Sequence, residues 1–288
     1  MMSQVSQAAR IAASAVSPQP VISILGIDGG TVASVAALLR AGYRVICADS
    51  DSDKADTLAQ RIALGIGTAV MAALRIGQAE GNLLVTDDIF AAVMESDVTF
   101  ICQGPGMDFL ETENTHALSA IGRTIGAALA LKQGFHIVVQ QAATLPGVTR
   151  SVLIPAIEAA SGLEAGSGFG LCHWPGVLDT GRNPQGDRPR PALLGVTDRQ
   201  SASCLDGIMG RVGTRALIAS IELSEMASQA QPRPEGPEMP AASLPVAMDC
   251  GADRSGRPEA ATPSRRPDAS FGLPTGKPLW THNLTAPS

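Results

Sequence analysis

Aromatic side chains are scarce in this sequence: they make up 3% of its 288 residues, and Tyr43 is the single tyrosine. That scarcity argues against a stacking platform for single-stranded nucleic acid. It also leaves the core to Ala, Val, Ile and Leu, a composition suited to a parallel sheet covered by Ala-rich helices. Excess positive charge is missing too. With 21 basic against 27 acidic residues, the chain carries a net charge of −6 and offers no basic face to a phosphate backbone, so no nucleic-acid partner is expected. No apolar run reaches the roughly 18 residues needed to span a bilayer, so no membrane partner is expected either. Met1 to Pro20 contains Arg10 but no apolar stretch ahead of a cleavage site, and the expected compartment is the cytoplasm. Those residues, rich in Ser, Ala and Gln, are expected to form a flexible arm, residues 1–20. The cysteines Cys47, Cys102, Cys172, Cys204 and Cys250 never approach C-x-x-C spacing, which indicates neither a metal site nor a disulfide framework.

What is present is 45% apolar content, enough for a sizeable core, arranged as short apolar runs alternating with longer helical stretches. That alternation predicts an α/β fold, a Rossmann-type doubly wound and mostly parallel sheet, over residues 21–230. Strands are expected at Val21 to Leu25, Arg44 to Ala48, Asn82 to Thr86, Val98 to Cys102, His136 to Val139, Phe169 to Cys172 and Ala192 to Val196. Helices are expected at Val32 to Ala41, Lys54 to Leu64, Val70 to Ile76, Asp87 to Glu95, His116 to Leu131, Val148 to Ala160 and Ser203 to Val212. From Gln231 to Ser288 the character changes, since 11 of the 20 prolines fall there and no periodic apolar face survives. Such a stretch buries too little surface to offset the entropy of ordering it, which predicts a disordered tail over residues 231–288.

The first strand runs into Gly26-Ile27-Asp28-Gly29-Gly30-Thr31, and the second ends at Asp49. This is the place of a dinucleotide fingerprint, where glycines let the backbone approach a pyrophosphate, a helix N-terminus supplies amide dipoles and an acid takes the ribose hydroxyls. The glycine spacing departs from that pattern, because Asp28 occupies the second glycine's place and Thr31 the third's. A carboxylate at Asp28 would bring negative charge toward a dianionic pyrophosphate. Two readings stay open: Gly29 and Gly30 reshape the loop and NAD binding is kept, or the loop has drifted after losing its ligand. Asp49 likewise reads as a ribose ligand or as an ordinary carboxylate at a strand end.

The order of motifs resembles the UDP-glucose/GDP-mannose 6-dehydrogenase family over about Val21 to Met226. Ile22 to Asp49 is similar to the family's first strand, Gly-rich turn, helix and acidic second strand, and Lys54 falls where the family carries a lysine that contacts the adenosine ribose with the acid. The run from Ser96 to Gly104 is similar to the strand leading into the family's cofactor loop. Val138-Val139 and Leu145-Pro146-Gly147 resemble its Val-Val-x-x-Ser-Thr-Val-x-Pro-Gly segment. The resemblance implies NAD as cofactor, with Gly26, Gly29, Gly30, Asp49, Lys54 and Gly104 near it, a sugar nucleotide as partner, and a setting in polysaccharide biosynthesis.

Members of that family oxidise a sugar C6 alcohol to a carboxylate through a cysteine-bound intermediate, which needs a thiolate and groups that handle protons and oxyanion charge. Here Ala142-Ala143 stands for the family's Ser-Thr, and Trp174-Pro175-Gly176-Val177-Leu178 for its Asn-Pro-Glu-Phe-Leu, so Gly176 replaces a glutamate. In Glu225-Met226-Ala227-Ser228, serine replaces a lysine. Cys250 lacks the glycine-rich surroundings and following lysine of the family's nucleophile. The expectation is therefore a divergent, truncated homologue, a pseudoenzyme with no catalytic residues assigned. Two alternatives stand beside it: an oxidoreductase acting on another alcohol or completed by a separate catalytic subunit, and a regulatory or scaffold protein, such as a homo-oligomer.

Among other candidates, His173 and Trp174 read as an exposed-loop pair that either stacks on a sugar or base or packs the loop against the domain. His116 and His136 lie far apart without acids at ligand spacing, so no metal is expected. Asp108, Glu111 and Glu113 read as a solvated loop face. Cys102 and Cys172 fall on expected strands, where cysteine acts as a small hydrophobe.

Overall fold

The computed structural model describes residues 19–27, 29–64, 69–102, 112–141, 145–176, 178 and 191–230. The expected tail, and all but the last two residues of the expected arm, lie outside these. One sheet of eight strands organises the described residues: β1 (Ile22–Leu25), β2 (Val45–Ala48), β3 (Leu83–Thr86), β4 (Val98–Ile101), β5 (Ile137–Gln140), β6 (Gly170–His173), β7 (Ala192–Val196) and β8 (Ala216–Ala219). Their order across the sheet is β3-β2-β1-β4-β5-β6-β7-β8, and every pairing is parallel except β6 with β7. The order in which successive strands are added reverses at the boundary between β1 and β4, whose strands run parallel. In open α/β sheets that is where a crevice opens at the carboxyl ends of the strands.

The helices are α1 (Gly29–Arg40), α2 (Ser52–Leu64), α3 (Ala69–Ala79), α4 (Ile89–Met94), α5 (Thr112–Leu131), α6 (Ile154–Ser161), α7 (Arg199–Val212) and α8 (Ile221–Ala230). They cover both faces. Val35 and Leu38 of α1, Leu58 of α2, Leu74 of α3 and Leu205 and Ile208 of α7 pack on one face with Ile22, Ile24 and Phe100. On the other, Val93 of α4, Leu118 and Ile125 of α5, Ile157 of α6 and Ile221 of α8 pack with Leu25, Ile46 and Leu171. Successive strand residues point to opposite faces, so a strand buried on both sides must be apolar throughout. β1, β2, β4, β5 and β6 are buried at every position and come close to that rule, and their polar exceptions are informative.

The seven expected strands are all present. β8 was not anticipated, since Ala-Leu-Ile-Ala is too short and featureless to stand out, and it pairs only at the sheet's edge with β7. α1 starts at Gly29 rather than Val32, because glycine fits the first turn of a helix, whose amides need no intrahelical acceptor. The stretch expected to be a helix from Val148 opens as a π-helical turn, Thr149–Leu153, before α6. Pro155 explains the widening: it lacks the amide that a regular helix would direct at the carbonyl of Ser151.

Candidate functional site

The crevice between β1 and β4 is built first by Gly26, one residue beyond β1. Its φ of +100° is a conformation that side-chain-bearing residues rarely adopt, and its amide donates to the Ala48 carbonyl at 2.8 Å. The chain then enters α1 at Gly29 and Gly30, and the first turn of that helix carries no acidic side chain to occupy its own amide dipoles. Asp28, immediately before it, lies outside the described residues, as does Gly104.

Asp49 follows β2 directly. Its Oδ2 accepts from the Ile27 amide at 2.8 Å and its Oδ1 from the Asp51 amide at 3.0 Å. Lys54, in the first turns of α2, places Nζ 3.6 Å from Oδ2. The Asp49 side chain is 10% exposed and that of Lys54 53%. A carboxylate has about four acceptor positions, so two backbone amides leave room for the paired hydroxyls of a ribose. Asp49 thereby fixes the glycine turn, and its side chain remains 10% exposed. The turn, the helix N-terminus, the acid and the lysine fit the adenosine half of a dinucleotide. Of the expected site residues, Gly26 follows β1, Gly29 and Gly30 open α1, and Asp49 and Lys54 pair after β2, while Gly104 is not described.

The far side of the crevice, at the ends of β5 and β6, is also rich in polar groups, but these turn inward. Glu225 of α8 is fully buried; its Oε2 accepts from the Gly147 amide at 2.6 Å and its Oε1 from the Thr149 amide at 3.0 Å. It thus caps the π turn and α6 from outside their own segment. Thr149 Oγ1 donates to Gln140 Oε1 at 3.0 Å, while the buried Nε2 of Gln140 has no partner among the described residues. His173 Nδ1 lies 3.0 Å from Ser224 Oγ. Nothing in the sequence predicted the roles of Glu225 and His173, because their bonds join residues 51 to 78 positions apart.

Of the two readings of His173 and Trp174, the structure takes the packed one. His173 ends β6 and is fully buried, and Trp174 is 6% exposed, so the pair packs the segment against the domain and presents no stacking face. Apolar burial of the indole outweighs exposure to solvent. A Cβ added at Gly176 would lie 2.5 Å from Trp174 Nε1 and Cε2, so this loop as folded holds the indole and has no room for a side chain at position 176. Ser228, at the place of the family's lysine, donates to the Glu225 carbonyl at 2.6 Å and so closes on its own helix. Ala142 and Ala143, and Cys250, lie outside the described residues.

A second buried cluster sits at the opposite, amino-terminal ends of the strands. Ser23, Ser96 and Thr99 share hydrogen bonds, Thr99 Oγ1 lies 2.8 Å from His136 Nε2, and Lys132 Nζ lies 3.1 Å from His136 Nδ1. Lys132 also donates to the carbonyls of Val93, at 2.9 Å, and Ser96. Burial, then the charge of Lys132, pushes the His136 pKa down to about 3, and burial lowers that of Lys132. Burial likewise raises the Cys172 and Cys204 thiols, which keeps them protonated and unreactive. Among the described residues no cluster of His, Cys, Asp or Glu fits a metal, and no helix is long and apolar enough to cross a membrane.

Residues 22–211 match the model of the UDP-glucose/GDP-mannose dehydrogenase family, NAD binding domain. The chain belongs to this family. It is 32% identical over 208 residues to a GDP-mannose 6-dehydrogenase of Pseudomonas aeruginosa, covering 71% of this chain and 47% of that protein. A GDP-mannose 6-dehydrogenase of Pseudomonas putida is 30% identical over the same length and with the same coverage. Among solved structures, a ternary complex of GDP-mannose dehydrogenase from Pseudomonas aeruginosa superposes with a TM-score of 0.62 at 29% identity, covering 73% of this chain and 48% of that one. A UDP-glucose dehydrogenase from Pyrobaculum islandicum shares the fold, with a TM-score of 0.61 at 23% identity over 75% of this chain and 49% of that one. The chain spans about half the length of the curated relatives it matches. The cofactor of the matched domain is NAD.

Proposed function

We propose that residues 21–230 act as a nucleotide-binding module of the nucleotide-sugar dehydrogenase type, held in the cytoplasm, that binds NAD through Gly26, Gly29, Gly30, Asp49, Lys54 and Gly104 but does not oxidise a sugar nucleotide unaided. The observation that carries the first half is the Asp49 carboxylate, held by two backbone amides after β2 with Lys54 3.6 Å away and its side chain 10% exposed. When bound, NAD would supply the hydride acceptor for oxidation of an alcohol.

The second half of the proposal is supported by what replaces the family's reactive groups. The Trp174 indole fills the space beside Gly176, and Ser228, shorter than the lysine it replaces and neutral, bonds its own helix. Without a charge-stabilising cation or a proton-handling carboxylate, the barrier for hydride and acyl transfer stays high, since each such group is worth orders of magnitude in rate. Turnover would need those groups supplied from outside residues 21–230, with a sugar nucleotide such as GDP-mannose as substrate.

Equilibrium dialysis of the full chain against NAD⁺ and NADH tests the binding claim; saturable binding with a dissociation constant below about 1 mM is expected. Mixing the same protein with NAD⁺ and GDP-mannose or UDP-glucose tests the catalytic claim. No NADH should form, and steady turnover by the chain alone would contradict the reading.

A further inference from the structure

The two edges of the sheet are finished differently. β3, at one edge, is buried or half-buried along its whole length, packs against α2 and α3, and runs directly into Asp87 and Asp88. β8, at the other, packs against β7 and α7, and among the described residues no strand lies on its outer side. Its sequence, Ala216-Leu217-Ile218-Ala219, holds neither charge nor proline, which edge strands commonly use to repel a neighbour.

Alternation puts Ala216 and Ile218 on the face covered by α7, since their β7 partners Ala192 and Leu194 belong to that core, and Leu217 and Ala219 on the other face. Ile218 is nevertheless 51% exposed and Leu217 42%. The strand is thus bare on both faces as well as along its open edge. Single apolar side chains on a surface are ordinary. Two in succession on an edge strand make a continuous apolar strip beside backbone groups that have no strand to bond.

The charges flanking this strip are of opposite sign. Arg215, exposed, precedes β8; Glu222, which pairs with Arg150 at 2.6 Å, follows it after Ser220 and Ile221. Antiparallel pairing of two copies, about a two-fold axis perpendicular to the sheet, sets the basic entrance of each strand beside the acidic exit of the other. Parallel pairing would set like charge beside like. The same axis keeps each face on its own side, so Leu217 packs beside its own copy on one face and Ile218 beside its own copy on the other.

We propose that β8 is a self-association edge: two copies of this chain pair their β8 strands antiparallel and continue one sheet across the dimer. The occupant is a second copy because the strip is self-complementary, as a two-fold contact requires. β5, β6 and β7 lie between this edge and the crevice at β1 and β4, so pairing leaves that crevice clear.

Sedimentation equilibrium of the full chain from about 1 to 300 µM tests it. A reversible equilibrium between monomer and dimer is expected, and a chain that stays monomeric over that range overturns the proposal. Ile218→Lys sets two ammonium groups together at the seam and should weaken dimerisation at least about tenfold; an unchanged dimer overturns it. Arg215→Glu should weaken the dimer about threefold or more, and adding Glu222→Arg should restore it; a double variant weaker than the single one contradicts the antiparallel arrangement. Leu223→Lys and Met226→Lys, at exposed positions of α8, should leave the dimer intact. Loss of the dimer in those variants but not in Ile218→Lys would move the interface to α8 and overturn the proposal. In the wild-type chain, amide exchange at residues 216–219 should slow as concentration rises through the dimerisation range, and rates independent of concentration contradict it.

Discussion

The Asp49 corner and the polar clusters elsewhere in the sheet are made of similar side chains used in opposite directions. Asp49 and Lys54 keep part of their surface in solvent, although both carboxylate oxygens of Asp49 accept from backbone amides. Glu225, Thr149 and His173 at the ends of β5 and β6, and Ser23, Thr99 and His136 at the other end of the sheet, are buried to within 1% and are bound up in the protein's own hydrogen bonds. The difference teaches that a polar residue at a strand end is not by itself a site. What separates ligand-facing from structural groups is whether acceptor and donor capacity remains after the fold has been satisfied. Changes to the inward groups should therefore appear as lost stability, and changes to the outward groups as lost affinity.

The largest expected effect lies with Glu225. Glu225→Ala removes the acceptor for two amides, Gly147 and Thr149, and leaves them buried or half-buried without partners. A loss of roughly 3 kcal/mol or more is expected in urea denaturation, with nucleotide affinity of the folded fraction unchanged. A large loss of affinity with intact stability would break the comparison, because it would make Glu225 a ligand-facing group.

Next comes the pH response of His136. Its folded pKa of about 3 lies below the ordinary 6.5, so between those values the folded chain binds fewer protons than the unfolded one. Stability is thus complete above about pH 6.5 and falls as pH drops toward 3, by roughly 2–3 kcal/mol at about pH 4.5. His136→Gln should flatten that part of the stability-against-pH curve. An equally steep curve in the variant would place the acid sensitivity elsewhere.

Lys54→Ala should have the smallest effect. Its ammonium is half exposed and 3.6 Å from Asp49, a geometry worth about 0–1 kcal/mol to folding. Midpoints in urea should barely move, while nucleotide affinity falls about threefold and loses part of its salt dependence.

The fold was legible because burial on both faces leaves a direct mark on sequence. β2 as Val-Ile-Cys-Ala and β5 as Ile-Val-Val-Gln are short apolar runs between helical stretches, and the parallel pairing follows from that alternation. The Asp49 corner was legible for a related reason, since Gly26, Asp49 and Lys54 are placed by one local strand, helix and strand unit. Glu225 was not, because its partners at Gly147 and Thr149 are 78 and 76 residues away and only tertiary packing brings them together. For Trp174 the sequence left stacking and packing both open, and the choice was settled only by tertiary contact, since the neighbouring Gly176 makes room for the buried ring.

The central claim is that Asp49 faces a nucleotide ribose. It is tested most directly by titrating NAD⁺ calorimetrically into the wild-type chain and Asp49→Ala, each first shown to be folded. The account predicts saturable binding to the wild type and an affinity at least about tenfold weaker in the variant, about 1.4 kcal/mol. Equal affinities, or no saturable binding by the folded wild-type chain, would contradict it.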